Sequence, residues 1–121
     1  MEYKSVGLEG LLSYKNKYAY THKERVLFNG NPIRFYEDSY GKIRGIYIIG
    51  KEIVSGMCFE MDIFGDYVLT DMFTKENYRR KGYATSLYNW HKEYISDRIR
   101  FSKNLSELGK LFSNKMLCQN N

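Results

Sequence analysis

The sequence predicts one α/β domain over residues 1–121, in which helices flank a mixed, mostly antiparallel sheet. Three observations support this fold class. The length of 121 residues fits a single domain, and 43% hydrophobic with 17% aromatic residues suffices for a packed core. Apolar residues alternate with a period of two through the middle of the chain. After residue 82 they change to the spacing of an amphipathic helix.

The first two thirds of the chain predict a helix followed by strands. Apolar residues at roughly helical spacing predict a first helix within 7–20. Asn29-Gly30 between two β-rich runs predicts a hairpin. The predicted strands, separated by turns that contain glycine, cover 26–28, 33–36, 43–49, 53–61 and 67–73. Along the last strand, alternation places the odd-numbered side chains from Tyr67 to Phe73, including Asp71, on one face of the sheet.

The last third of the chain returns to helical patterns. Apolar residues spaced three and four apart predict a helix from Gly82 to Ile95. A short strand is predicted at 98–101. A final helix is predicted from Leu105 to Met116, with Ser102 or Asn104 as its cap.

The net charge of +5 is concentrated in one part of the chain. Residues 1–74 carry nine Lys or Arg against ten Asp or Glu, whereas residues 75–121 carry ten against four. A local excess of this kind indicates an anionic partner, which could be nucleic acid, a membrane surface or a phosphate-bearing cofactor. A solvated basic helix surface is the alternative that involves no partner.

Several classes of protein are excluded by the sequence. No stretch approaches the roughly 18 apolar residues of a membrane-spanning helix. The first four residues lack the basic and apolar run of a signal peptide, so a cytoplasmic location is expected. Cys58 and Cys118 are far apart and form no CxxC motif, so no metal site is expected. Scarce alanine with plentiful lysine, asparagine and tyrosine is typical of an AT-rich genome, such as that of a phage or a low-GC bacterium.

The segment from Asp71 to Thr85 has the residues of a phosphate-binding site. A strand is predicted to end near Thr74, and a basic loop then leads to Gly82, where a helix begins. The first amides of a helix lack partners within the helix, and its dipole adds positive charge there. Glycine lets an anion approach the backbone, and the Arg79-Arg80-Lys81 run adds full charges. A solvated basic turn is the alternative interpretation.

Arg79-Arg80-Lys81-Gly82-Tyr83-Ala84 resembles the [RQ]-x-x-G-x-[GA] loop of the GNAT superfamily, the acetyl-CoA-dependent N-acetyltransferases. The resemblance extends to the preceding strand, where Asp71, Phe73 and Tyr78 match the family pattern. It covers about residues 43–95. Two positions differ from the pattern, with threonine and glutamate at 74 and 76 where valine and proline are usual.

The resemblance implies how acetyl-CoA would bind. Backbone amides from Arg80 to Ala84 would hold the pyrophosphate, with the Thr85 hydroxyl beside them. The pantetheine arm would pair with the strand Thr70–Thr74, where the sheet is expected to splay. The implied cofactor-binding residues are Met72, Phe73, Thr74, Arg79, Arg80, Lys81, Gly82, Tyr83, Ala84, Thr85 and Asn104.

The resemblance also implies a carboxylate that takes a proton from the attacking amine. Asp71 and Glu60, on adjacent predicted strands, are the candidates for this catalytic role. An exposed polar position or a loop-bracing hydrogen bond is the alternative for Asp71. Asn104 matches an asparagine that the family has before its last helix. Phe112 stands about where the family has the tyrosine that protonates the leaving thiolate, and it has no hydroxyl.

Three functional hypotheses follow. The first is an N-acetyltransferase that moves an acetyl group from acetyl-CoA to an amine, either a protein lysine, a polyamine or another small amine. The second is a catalytically inactive GNAT-like binding module, encoded by a phage and acting on a host protein, because the family's tyrosine is missing and the sequence is short. The third, nucleic-acid binding, ranks lowest because the charges concentrate at one helix start.

Four further groups of residues have a packing interpretation. Trp90, His91 and Cys58 are expected to pack in the interior rather than to act in catalysis. Tyr14, Tyr18 and Tyr20, within the predicted first helix, could line an acceptor groove or pack as half-buried aromatic residues.

Overall fold

The computed structural model describes residues 24–119 of the chain. The first predicted helix, within 7–20, and the tyrosines at 14, 18 and 20 lie outside these residues. The described elements, in chain order, are β1 (Arg25–Asn29), β2 (Ile33–Glu37), β3 (Ile43–Ile49), β4 (Glu52–Met61), β5 (Tyr67–Thr74), α1 (Tyr83–Tyr94), β6 (Ile99–Phe101) and α2 (Glu107–Gln119).

The strands form one six-stranded sheet in the order β1-β2-β3-β4-β5-β6. Each of the first four strands is antiparallel to the next, because short turns connect them. β6 is parallel to β5, because α1 carries the chain back across the sheet between them. The prediction of a mixed, mostly antiparallel sheet with helices is confirmed.

Aspartate side chains fix two of the turns. Asp38 Oδ1 accepts hydrogen bonds from the amides of Tyr40 and Lys42, and these hold the β2–β3 turn. Asp62 Oδ1 accepts bonds from the amides of Phe64 and Asp66 in the β4–β5 turn. Backbone amides in a turn have no partner in a neighbouring strand, and an aspartate side chain can accept their hydrogen bonds. This is why aspartate is favoured in turns.

The main core lies between the sheet and the two helices. Its fully buried side chains include Phe35, Phe59, Leu69, Leu87 and Met116. Burying a side chain of this size stabilises the fold by about 1.5–3 kcal/mol. The core therefore fixes α1 and α2 on the same face of the sheet, with the start of α1 next to the end of β5.

The rings of α1 pack into this core. Trp90 stacks on Phe35 with ring centroids 4.4 Å apart, and the His91 ring stacks on Phe59 at 4.0 Å. His91 is completely buried. The expectation that Trp90 and His91 are packing residues is confirmed.

The opposite face of the sheet also carries buried side chains. The residues buried there, with those packed against them, are Tyr36, Ile46, Cys58, Ile48, Ile53 and Phe73. Six consecutive residues of β4, Val54–Phe59, are buried. Cys58 is one of them, as the sequence predicted, and it forms no disulfide with Cys118, which also lies in the described part of the chain.

A bulge in β5 changes the predicted alternation. Asp71 lies opposite Cys58 and Leu69 lies opposite Phe59, so Thr70 is an extra residue with no opposing residue in the ladder, although its Oγ1 donates to the Cys58 carbonyl at 3.4 Å. Leu69 and Met72 therefore share the helix-covered face, whereas Phe73 packs on the other. The prediction of one face for the odd residues from 67 to 73 is wrong, because one extra residue reverses the alternation beyond it.

The start of the last helix also differs from the prediction. α2 begins at Glu107, and Ser106 Oγ accepts a hydrogen bond from the amide of Gly109 at 3.2 Å. Ser106 is thus the cap, rather than Ser102 or Asn104. Ser102 Oγ instead accepts a bond from the Asn104 amide in the preceding loop.

No helix within residues 24–119 is long and apolar enough to cross a membrane.

Candidate functional site

The candidate site begins where β5 ends and α1 starts. One turn of 3-10 helix, Glu76–Tyr78, follows β5, and a four-residue loop then leads to Tyr83. Arg80 and Gly82 have φ angles of 64° and 82°, in the left-handed region. A Cβ at Gly82 would meet no atom within 4 Å, so this position favours glycine for its backbone angle rather than for space.

The loop presents a group of backbone amides at the helix start. Gly82 O accepts bonds from both the amide and the hydroxyl of Ser86, each at 2.9 Å, and these fix the first turn of α1. The amides of residues 80–85 have no hydrogen-bond acceptor among residues 24–119. Amides grouped in this way at a helix N-terminus attract an anion, because their dipoles and that of the helix point the same way.

The three basic residues of the loop have different environments. Arg79 Nε donates to the carbonyl oxygen of Thr74 at 3.0 Å, which ties the loop to the end of β5. Arg80 and Lys81 are exposed. Arg79 therefore shapes the loop, and the charges of Arg80 and Lys81 are available to an incoming anion.

Three tyrosines lie beside the loop, and the sequence indicated two of them. Tyr83, the first residue of α1, packs on Tyr47 of β3 with ring centroids 4.4 Å apart. Tyr78 lies on the other side of Tyr83 at 6.2 Å. The Tyr78 and Tyr83 positions were part of the sequence motif, whereas Tyr47 comes from a distant strand and no spacing in the sequence indicated it.

The edge of β5 next to this loop is open. β6 pairs only with the stretch Tyr67–Leu69, and the last contact is a bond from the Ser102 amide to Leu69 O at 3.0 Å. Beyond it, residues 70–74 have no partner strand on that side within the described chain. This agrees with the splay expected at Thr70–Thr74.

Hydrogen bonds show which backbone groups point toward the open edge. Lys75 N donates to Val54 O, and Phe73 O accepts from Ser55 Oγ, so the odd-numbered residues after the bulge face β4. Because directions alternate along a strand, the amides and carbonyls of Met72 and Thr74 face the open edge.

Two of these four edge groups already have partners in the protein. The Met72 amide donates to Asp71 Oδ1 at 2.9 Å, and Thr74 O accepts from Arg79 Nε. The Met72 carbonyl and the Thr74 amide have no partner among residues 24–119. An extended ligand with its own amide could therefore add to β5 through one acceptor and one donor.

The predicted site residues on β5 differ in what they can offer. The side chains of Met72 and Phe73 pack into the core on opposite faces of the sheet. Thr74 Oγ1 lies 2.9 Å from Ser55 Oγ. These residues can therefore contact a ligand through their backbone, whereas Asp71 can use its side chain.

The two candidate carboxylates occupy different parts of the sheet. Asp71 lies at the open part of β5, where its carboxylate contacts the edge itself. Glu60 lies opposite Val68, in the part of the sheet where β6 is paired, and its carboxylate is 3.9 Å from Lys42 Nζ. Of the two, only Asp71 is brought to the open edge.

Two residues that the sequence comparison with the family singled out lie after β6. Asn104 is in the loop before α2, where its amide donates to Ser102 Oγ at 3.1 Å. Phe112 is buried and packs edge-on against Tyr88 at 5.7 Å. The position expected for a proton-donating tyrosine is thus part of the core.

The basic residues further along the chain have partners away from the loop. Arg98 Nε lies 2.5 Å from Asp66 Oδ1, and Arg100 pairs with Asp62. Both pairs are at the β4–β5 turn, at the opposite end of β5 from the loop. They reduce the positive surface that a polyanion could use. Within residues 24–119, no group of three or more His, Cys, Asp or Glu side chains could hold a metal ion.

No protein-family model and no curated protein matches the sequence. Among solved structures, the chain is similar to a ribosomal-protein-alanine N-acetyltransferase from Brucella melitensis biovar Abortus 2308, with a TM-score of 0.50 and 13% sequence identity. The similarity covers 62% of this chain and 63% of that enzyme, so this chain spans less than two thirds of the enzyme's length. The mixed sheet and its two helices therefore have a GNAT-like fold.

Proposed function

We propose that the protein is an N-acetyltransferase that moves an acetyl group from acetyl-CoA to an amine. One observation carries the proposal: the open edge of β5 lies next to a helix start whose amides, at residues 80–85, have no acceptor in the described chain. A ligand that joins an amide-containing arm to a pyrophosphate fits both features together. The GNAT-like fold supports this choice of ligand.

The residues of the loop and strand would hold the two parts of the donor. The amides of 80–85, with the charges of Arg80 and Lys81, suit the pyrophosphate. The Met72 carbonyl and Thr74 amide suit an amide of the pantetheine arm, because they offer one acceptor and one donor in strand geometry. Thr85, in the first turn of α1, could add its hydroxyl.

Asp71 would be the group that accepts the proton of the attacking amine. Acetyl-CoA supplies a thioester whose carbonyl carbon an amine can attack. A carboxylate at the edge of β5 is within the region that such a thioester would reach, which favours Asp71 over Glu60. A protein lysine, a polyamine and another small amine all fit this chemistry, and we propose a cytoplasmic protein that acts on one of them.

A second candidate function is a catalytically inactive GNAT-like binding module, encoded by a phage and directed at a host protein. The observation that favours it is Phe112, which is buried in the core where an active enzyme of this kind would place a tyrosine hydroxyl. Release of the CoA thiol with any member of a panel of amines would exclude this candidate.

Calorimetric titration with acetyl-CoA tests the first proposal. The wild type is expected to bind, and Gly82→Glu is expected to lose at least about tenfold in affinity because it adds strain and a negative charge at the loop. Gly41→Glu is a matched control: Gly41 has a φ of 80° and open space around it, but lies in the β2–β3 turn. A wild type that does not bind acetyl-CoA, or equal affinity in the two variants, would refute the proposal.

A further inference from the structure

We propose that Ser55 orients the Thr74 hydroxyl so that Thr74 Oγ1 accepts a hydrogen bond from the arm of the acyl donor. Ser55 is then a positioning residue, and Thr74 is the residue that touches the ligand. This inference rests on the proposed function, because it adds a contact with the same donor. Thr74 is one of the two positions where the segment differs from the family pattern, which usually has valine there.

The hydroxyl groups of Ser55 and Thr74 lie side by side on neighbouring strands. Ser55 of β4 is directly opposite Thr74 of β5, and the two hydroxyl oxygens are 2.9 Å apart. Ser55 Oγ is also 3.0 Å from the carbonyl oxygen of Phe73. Ser55 is completely buried, so these two contacts supply the hydrogen bonds that a buried hydroxyl needs.

The two contacts of Ser55 fix the direction of each hydrogen bond. A carbonyl oxygen can only accept, so Ser55 donates its single hydroxyl hydrogen to Phe73 O. In the other contact Ser55 Oγ is therefore the acceptor, and the Thr74 hydroxyl is the donor. No group within residues 24–119 donates to the lone pairs of Thr74 Oγ1. Thr74 Oγ1 thus offers a ligand an acceptor and not a donor.

The position of Thr74 places this acceptor beside the path of the donor. Tyr47, Ser55 and Thr74 form a row across three strands, and Tyr47 packs against Tyr83, the first residue of α1. Side chains in such a row share one face of the sheet, so the Thr74 hydroxyl lies on the face where α1 starts. Thr74 is also the last residue of β5. A ligand that runs from the β5 edge to the amides of 80–85 therefore passes it.

The arm of acetyl-CoA carries groups that suit this acceptor. Next to the pyrophosphate the arm has a hydroxyl and an amide, and each can donate a hydrogen. The Thr74 amide is a donor at the open edge, and the Thr74 hydroxyl adds an acceptor from the same residue. Valine at this position would have nearly the same shape but could not accept a hydrogen bond. The threonine therefore adds a contact that only a polar arm can use.

Calorimetric titration of four variants with acetyl-CoA tests this assignment. Thr74→Val removes the acceptor and is expected to bind about fivefold more weakly than the wild type. Thr74→Ser keeps the hydroxyl and is expected to stay within about twofold of the wild type. Ser55→Ala leaves the Thr74 hydroxyl without its partner and is expected to bind about threefold more weakly. The double variant is expected to bind no more weakly than Thr74→Val, because Ser55 acts through Thr74.

Ser113→Ala is the matched control. Ser113 Oγ also donates to a backbone carbonyl, that of Lys110 at 3.2 Å, but it lies in α2 and outside the loop and the β5 edge. This variant is expected to bind acetyl-CoA as the wild type does. If Ser55→Ala does not fold, the comparison of Thr74→Val with Thr74→Ser still decides whether the hydroxyl contacts the donor.

The possible outcomes separate this assignment from the proposed function. Weaker binding by Thr74→Val than by Thr74→Ser, with no further loss from Ser55→Ala in the Thr74→Val background, supports the assignment. Wild-type affinity in Thr74→Val, or an equal loss in Thr74→Val and Thr74→Ser, would overturn it and leave the proposed function in place. The same holds for a loss from Ser55→Ala that is independent of residue 74. A wild type that does not bind acetyl-CoA would refute the proposed function, and this assignment with it.

Discussion

His91 makes the stability of the fold depend on pH. Its ring is completely buried between Phe59 and Tyr67, and its Nε2 has no hydrogen-bond partner among residues 24–119. Burial, partly opposed by the bond between Nδ1 and the Ser96 carbonyl, lowers the pKa of His91 from 6.5 to about 4. The folded protein therefore holds this histidine neutral at a pH where the unfolded chain binds a proton.

The size and sign of the effect follow from this difference. The unfolded chain binds more protons than the folded protein between the two pKa values, so the free energy of unfolding falls as the pH decreases through 6.5. A shift from 6.5 to about 4 corresponds to about 3 kcal/mol, which is lost progressively as the pH falls from 6.5 through 4. About 2 kcal/mol of this is expected to be lost already at pH 5, and none above pH 7.5.

Urea unfolding of the wild type and of His91→Phe, measured between pH 7.5 and pH 4, tests this prediction. Phenylalanine fits among the surrounding rings and does not titrate, so the difference between the two proteins isolates the histidine. His22 and the carboxylates are common to both and cancel. The wild type should lose stability relative to His91→Phe as the pH falls. A difference that stays constant over this range would refute the reasoning.

Three further substitutions test separate parts of the structure. Gly45→Ala should destabilise the fold by about 1–3 kcal/mol in urea unfolding, because the new Cβ would lie 2.4 Å from the Phe35 ring. Ser106→Ala should cost about 1 kcal/mol in the same assay, because an amide in the first turn of α2 loses its cap. Arg79→Lys should weaken acetyl-CoA binding several-fold in calorimetry without changing the midpoint of thermal unfolding. Lysine lacks the Nε–H group with which Arg79 donates to Thr74 O, so the loop is no longer tied to the end of β5. An unchanged affinity would show that this bond does not shape the loop.

Much of the fold could be predicted from the sequence because local patterns and long-range packing agree. The strands of the sheet alternate in hydrophobicity, and a glycine with positive φ, such as Gly41 or Gly65, lies in the turn between two of them. The helix after Gly82 has a clear amphipathic spacing. Its boundaries were predicted to within a residue because the glycine cap and the change of period coincide.

The rest depended on packing that no local pattern contains. The bulge at Thr70 adds one residue to a strand without changing its composition, so the alternation gave the wrong face for Asp71. The last helix offered several capping candidates within five positions, and the burial of Leu105 decides among them by fixing where the chain enters the core. The contacts of Arg79 with Thr74 and of Tyr83 with Tyr47 arise only when the loop is folded.

The same loop was nevertheless the most informative part of the sequence. Its charges and glycine predicted a phosphate-binding helix start, and the structure places unpaired amides there within the described chain. The motif did not indicate that the basic side chains of the loop have different roles. Arg79 is engaged with the backbone, whereas Arg80 adopts a left-handed conformation that its surroundings must hold.

The bulge at Thr70 links chain length to residue chemistry in β5. If Thr70 were deleted, Asp71 would follow Leu69 directly, and alternation would still place its side chain on the face away from α1. If all residues were kept but paired without the bulge, the side chain at 71 would instead turn toward α1 beside Leu69, where an unpaired carboxylate is too costly to bury. A related chain that lacks one residue here is therefore expected to keep a carboxylate at this position, whereas a chain of equal length without the bulge is expected to carry an apolar side chain there.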